Sequence, residues 1–185
     1  TTSRLGRMCT VIVQVPETVD GSVRLLAVRD EDPMRAWDPP GAWWPELPGV
    51  VGVRDRRAGG AWLATRDQRL SVLLNRSESS HPRLPAPSGL LSRGAIVLED
   101  VTGAHVPNPP RTASFNLVSV GPGAASVTSW DGETLEHSNL EPGMHMIAHH
   151  DVDDPRSARI EKWLPEFSKL TSLGSEWREG WLELL

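Results

Sequence analysis

Apolar patterning along the chain opens at residues 9–15, CTVIVQV, a β-branched and nearly continuous hydrophobic run. A run of this length and branching predicts a buried strand. Residues 17–22 contain Asp20-Gly21, a strong hairpin turn signal. Residues 23–29, VRLLAVR, predict the return strand. Antiparallel pairing then brings together the two ends of the hairpin. One end carries Cys9 and the other carries Arg29-Asp30-Glu31.

Residues 32–48 hold five prolines and three tryptophans, Trp37, Trp43 and Trp44. Proline lacks an N–H and fixes φ, which excludes a regular helix or a central strand. The segment reads as a long ordered loop over the strand ends, of the kind that serves as a binding loop or lid. Residues 50–54, 61–66 and 70–75 predict short strands, separated by turn signals at 57–60 and at Asp67-Gln68. Together the first 75 residues predict a five-stranded antiparallel sheet. Residues 76–87 are polar and proline-bearing, hence a loop.

Residues 88–101 space Leu90, Leu91, Ile96, Val97 and Leu98 as a helix does, with Gly94 weakening it. Residues 102–112 are a connector. Residues 113–120, 125–130, 134–137 and 144–149 predict a second set of strands, with turns at 121–123 and Asp131-Gly132. Residues 155–170 place Ile160, Trp163, Leu164, Phe167 and Leu170 at helical spacing. Asp153 or Asp154 is the expected N-cap and Pro155 suits the first turn. Residues 175–185 predict a short amphipathic terminal helix. The order is strands, helix, strands, helices. It fits two antiparallel sheets facing one another with helices outside, and equally an ordinary α+β arrangement.

The chain has 185 residues and a formal charge of −5, with 38% hydrophobic and 23% charged residues. This is the composition of one globular domain. The acidic balance argues against a nucleic-acid binder. No apolar run approaches the roughly 20 residues of a membrane span. No charged leader with an apolar core is present, so a cytoplasmic location is expected. Residues 1–7 read as a remnant of expression or a short leader ahead of an initiator Met8. There are 8 Trp, 2 Phe and no Tyr. Arginine outnumbers lysine 17 to 2, which fits a high-GC, bacterial genome. The single cysteine, Cys9, excludes an internal disulfide and any multi-cysteine metal site.

A cysteine directly behind an initiator methionine becomes N-terminal once the methionine is removed. It then carries a thiol and an α-amine whose ordinary pKa of about 7.7–8.0 suits a general base. Arg29 at the other hairpin end can supply a cation that favours the thiolate. Asp30 can orient the amine. Asn75, closing a predicted strand, can donate an N–H to an oxyanion. That set comprises nucleophile, base, orienter and oxyanion donor. Taken singly, each residue has a plainer reading as core thiol, solvated loop end or turn residue. His145, His149 and His150 gather beside Asp151, Asp153 and Asp154, but their spacing matches no metal motif, and a loop with a helix cap explains them as well. Gly121-Pro122-Gly123 is a turn, since no Lys-Ser/Thr follows it.

Met8-Cys9, Arg29-Asp30-Glu31, Gly59-Gly60-Ala61-Trp62-Leu63 and Leu74-Asn75 together resemble the N-R-D-E family, that of transport and Golgi organisation protein 2. Residues 51–63 are the closest match, where the family has Gly-Arg-Asp before Gly-Gly-Thr-Trp-Leu. Ser92-Arg93-Gly94, Phe115-Asn116-Leu117 and Pro142-Gly143 resemble later landmarks. The family's leading Asn is Val28 here, and Ala148-His149 stands where the family tends to have a small residue and Asn.

The family resembles N-terminal-nucleophile (Ntn) hydrolases. The resemblance implies an α+β fold over residues 9–185, a four-layer αββα sandwich of two antiparallel sheets flanked by helices. It implies an amidohydrolase acting on a linear, non-peptide amide through a thioester on Cys9, with Arg29, Asp30 and Asn75 as partners and no required cofactor. Some members are implicated in haem trafficking. The alternative is therefore a non-catalytic protein holding haem or another apolar cargo against the tryptophan-rich loop. Trp37, Trp43, Trp44, Trp62 and His149 are the substrate- or cargo-binding candidates. A third reading is a partner-binding protein with an exposed tryptophan patch. The expected partner is a small amide or apolar ligand, and a homo-oligomer stays open.

Overall fold

The computed structural model describes residues 9–18, 20–30, 34–77, 89–171 and 174–185. Met8 and the residues before it, Glu31, and most of the 76–87 loop lie outside the described residues. The chain runs through β1 (Thr10–Val15), β2 (Arg24–Val28), β3 (Trp37–Gly41), β4 (Val51–Asp55), β5 (Ala61–Arg66), β6 (Arg69–Asn75), α1 (Gly94–Val101), β7 (Phe115–Gly121), β8 (Ala124–Trp130), β9 (Leu135–Asn139), β10 (Gly143–Ile147), α2 (Ala158–Ser168) and α3 (Trp177–Leu182). The fold is α+β, with two antiparallel sheets and few helices. One sheet has the order β10-β1-β2, and the other runs β3-β4-β5-β6-β7-β8-β9.

The opening hairpin forms as expected, but it does not extend into a five-stranded sheet with β4–β6. Both edges of β1 are taken, by β2 and by β10. Its contact with the larger sheet is face to face. Val11, Val13 and Val15 pack with Val72 and Leu74 of β6, Val118 of β7 and Val127 of β8. Ile12 points the other way, into a cluster with Met146, Ile160, Phe167 and Trp181. A strand buried on both faces needs apolar residues at every position, which is why residues 9–15 read as a continuous run. Burying a side chain such as Ile12 contributes about 1.5–3 kcal/mol. The far face of the larger sheet presents Leu73, Phe115 and Leu117 to Ile96, Val97 and Val101 of α1. Asp100 pins that helix by accepting hydroxyl hydrogen bonds from Ser71 (2.5 Å) and Ser119 (2.8 Å).

Three local expectations need correction. The proline-rich segment contains a strand, β3, through Pro39-Pro40. It lies at the edge of its sheet, where a missing N–H costs no ladder bond, and its register shifts between Asp38 and Gly41. Helix α1 starts at Gly94, later than the apolar spacing of Leu90 and Leu91 suggests, and those two leucines are exposed. Helix α2 starts at Ala158, with Ser157 in the cap position and no side-chain cap bond. Asp154 is engaged by Arg156 instead, and Asp153 accepts the Met146 N–H at 2.7 Å.

Candidate active site

A cavity of about 450 Å³ lies beside the start of α1, over the ends of β4, β5 and β6. Cys9, Arg29 and Asn75 all line it, with Trp37 and Trp62. The pairing of β1 and β2 sets Thr10 opposite Val28. Continuing that register by one residue brings Cys9 level with Arg29. Asn75 closes β6 opposite Phe115 and is exposed. The two sheets thus contribute to one recess, Cys9 and Arg29 from the smaller and Asn75 from the larger.

Two glycines make room for α1 at this end. A Cβ on Gly60 would meet the Cα and carbonyl carbon of Gly94 at 2.6 Å. One on Gly94 would meet the Gly60 Cα at 2.9 Å. The Gly-Gly before β5 and the Ser-Arg-Gly before α1 are therefore two sides of one backbone contact. It seats Ser92, Arg93 and Gly94 on the cavity wall.

The wall is strongly basic. Among the described residues Arg29, Arg35, Arg54 and Arg93 line it, against one acid, Asp55. Burial works to raise the Asp55 pKa, but Arg35 and the N–H groups of Arg57 and Ala58 outweigh it and hold the carboxyl below its ordinary range. Arg35 donates to Asp55 from Nε at 2.8 Å. Arg54 donates to the buried Asp38 at 2.7 Å, and its guanidinium lies 4.9 Å from the Trp43 ring centre. Arg93 donates to the Ser114 carbonyl at 2.7 Å. No hydrogen bond or ion pair of the Arg29 side chain occurs among the described residues.

Several expected site residues lie elsewhere. Asp30 faces a different recess of about 380 Å³, lined also by Trp163 and Phe167, and sits 3.4 Å from Arg159. Arg29 borders both recesses. Trp44 is 6% exposed and donates to the Gly59 carbonyl at 2.9 Å. Trp43 donates to the Pro39 carbonyl at 2.8 Å. Both pack on the cluster under α1, so of the three tryptophans in this segment Trp37 alone lines the cavity. Trp62 does reach it, and its indole N–H is buried without an acceptor among the described residues.

His149 does not line the cavity, although the β1–β10 register, continued by two residues, sets it level with Cys9 on the side away from Arg29. Burial, then the adjacent His150, pushes its pKa below the ordinary value. Its Nδ1 is buried with no partner among the described residues. The segment carrying it is held by Asn116, a fully buried polar residue in β7. Asn116 donates to the Ala148 carbonyl at 3.0 Å and the His150 carbonyl at 2.7 Å, while accepting from Ser129 and Arg76. Among the described residues no group of three or more His, Cys, Asp or Glu is placed to hold a metal ion.

Sequence reasoning gave no role to Arg35, Arg54, Asp55 or Asn116. Arg54-Asp55 and Asn116 stood inside motifs that carried the resemblance. A lone Asn within the apolar stretch Phe115–Val118 was the available signal for a buried polar clamp.

The arrangement is a thiol, a guanidinium and a side-chain amide around one recess within an α+β fold of two antiparallel sheets. Residues 8–176 match the family model described as Transport and Golgi organisation 2, and the chain belongs to that family. No curated protein and no solved structure matches the chain.

Proposed function

We propose that this protein is an Ntn-hydrolase-like amidohydrolase acting on a small, linear, non-peptide amide. The three apolar clusters, α1 on sheet, sheet on sheet and sheet on α2 and α3, would be the seams of a four-layer αββα sandwich. The observation that carries the functional reading is that Cys9, Arg29 and Asn75, from two sheets, line one cavity. The Cys9 amine takes the thiol proton as the sulfur attacks the amide carbonyl, and the developing oxyanion takes a hydrogen bond from the Asn75 side chain. The C–N bond breaks, the leaving amine takes a proton from the Cys9 ammonium, and a thioester remains. Water, deprotonated by the Cys9 amine, attacks the thioester and releases a carboxylic acid and the thiol. The mechanism requires Cys9 to be N-terminal.

A β-lactone, which opens on a cysteine to give a thioester, tests this by intact mass on protein that begins at Cys9. One adduct is expected, lost in Cys9→Ala and formed about 100-fold more slowly in Asn75→Ala. Acylation as slow as that of free cysteine, or unaffected by Asn75→Ala, sinks the hydrolase reading. A Soret band on haem titration that disappears in His149→Ala would then support cargo binding in its place.

A further inference from the structure

Arginines dominate the described wall of the Cys9 cavity. Among the described residues four arginines line it and one carboxylate does. That carboxylate, Asp55, is engaged by Arg35. Arg54 draws on Asp38, which it shares with Arg56. Arg93 donates to the Ser114 carbonyl. Arg29 lies on the wall, half-buried and beside Cys9. A half-buried guanidinium gives up part of its hydration, and an anion bound in the recess restores that loss. Trp37, 47% exposed, offers an apolar face at the rim.

We propose that the cavity selects anionic ligands: a small amide bearing a carboxylate or comparable anionic group, which Arg29 engages while the carbonyl faces Cys9. This deepens the amidohydrolase reading and rests on its assignment of Cys9. The other arginines set the field rather than the contact, because each is held by a protein acceptor. A neutral amide of the same shape would leave Arg29 without a counter-charge and bind less well.

The test uses protein that begins at Cys9, its single cysteine. Iodoacetate and iodoacetamide alkylate the same thiolate by the same displacement, with iodide leaving, and differ in charge. The ratio of their rate constants on Cys9, divided by the ratio on free cysteine, reads charge preference whatever the absolute reactivity. About a tenfold preference for iodoacetate is expected at low salt, falling toward one in 0.5 M NaCl and in Arg29→Gln. The salt arm needs no variant to fold. A normalised ratio of one or below in the wild type at low salt overturns the proposal. If both reagents react no faster than with free cysteine, the nucleophile reading fails separately.

Discussion

His145 and His149 stand four residues apart, and their surroundings push their pKa values in opposite directions. The His145 Nδ1 lies 2.7 Å from the Asp153 carboxylate, and its Nε2 lies 2.8 Å from the Glu141 carbonyl. Both partners are acceptors, which favours the imidazolium form, the one that donates from both nitrogens. The hydrogen bond to Asp153 raises its pKa above the ordinary 6.5, against the opposing effect of burial. A raised folded value stabilises the fold fully below about pH 6.5, and this stabilisation is lost as pH rises through the folded pKa. We expect His145→Gln to cost about 1 kcal/mol at pH 6, after discounting for solvent around the half-exposed Asp153, and much less at pH 9. Urea unfolding of both proteins at the two pH values checks this. A constant difference between them would remove the pair from the account.

Among the elements, the contact of β5 with α1 decides the shape of the cavity. The Gly60–Gly94 approach leaves no room for a methyl group between two backbones. Gly60→Ala is expected to cost about 2–3 kcal/mol and to loosen Arg93 and Gly94 on the wall. Thermal unfolding together with Cys9 alkylation rates measures both effects. An unchanged melting temperature would show that α1 can move away at no cost. The sequence indicated that glycines mattered here only through the resemblance, because local pattern carries no information about which backbones approach. Element types were mostly legible, since β-branched runs and helical spacing act locally. Strand β3 was not, because an edge position tolerates Pro39 and Pro40 where a central one does not. The start of α2 was also misread, because Arg156 engages Asp154 and holds its carboxyl down at about 2.

For the whole molecule, the division of strands between sheets escaped the sequence. An apolar strand signals burial but not whether its neighbour lies at its edge or on its face. Residues 9–15 were correctly taken as buried, yet their contact with β6 is face to face. The Cys9–Arg29 pairing was legible, because one hairpin brings its own ends together. Asn75 reaches the same recess from the second sheet, which the resemblance suggested and no local rule could. Trp43 and Trp44 were expected at a ligand; they pack on the cluster under α1 and line a separate recess with Arg54 and Arg56, since apolar rings serve a core as readily as a pocket. The basic wall was hidden because its arginines come from four separate segments. The proposed hydrolysis requires Cys9 to work through its own amine. The most direct measurement compares deacylation of the β-lactone adduct in protein beginning at Cys9 with that in a form carrying one extra glycine ahead of it. The free amine is expected to speed deacylation at least about 100-fold. Equal rates in the two forms would contradict the N-terminal nucleophile.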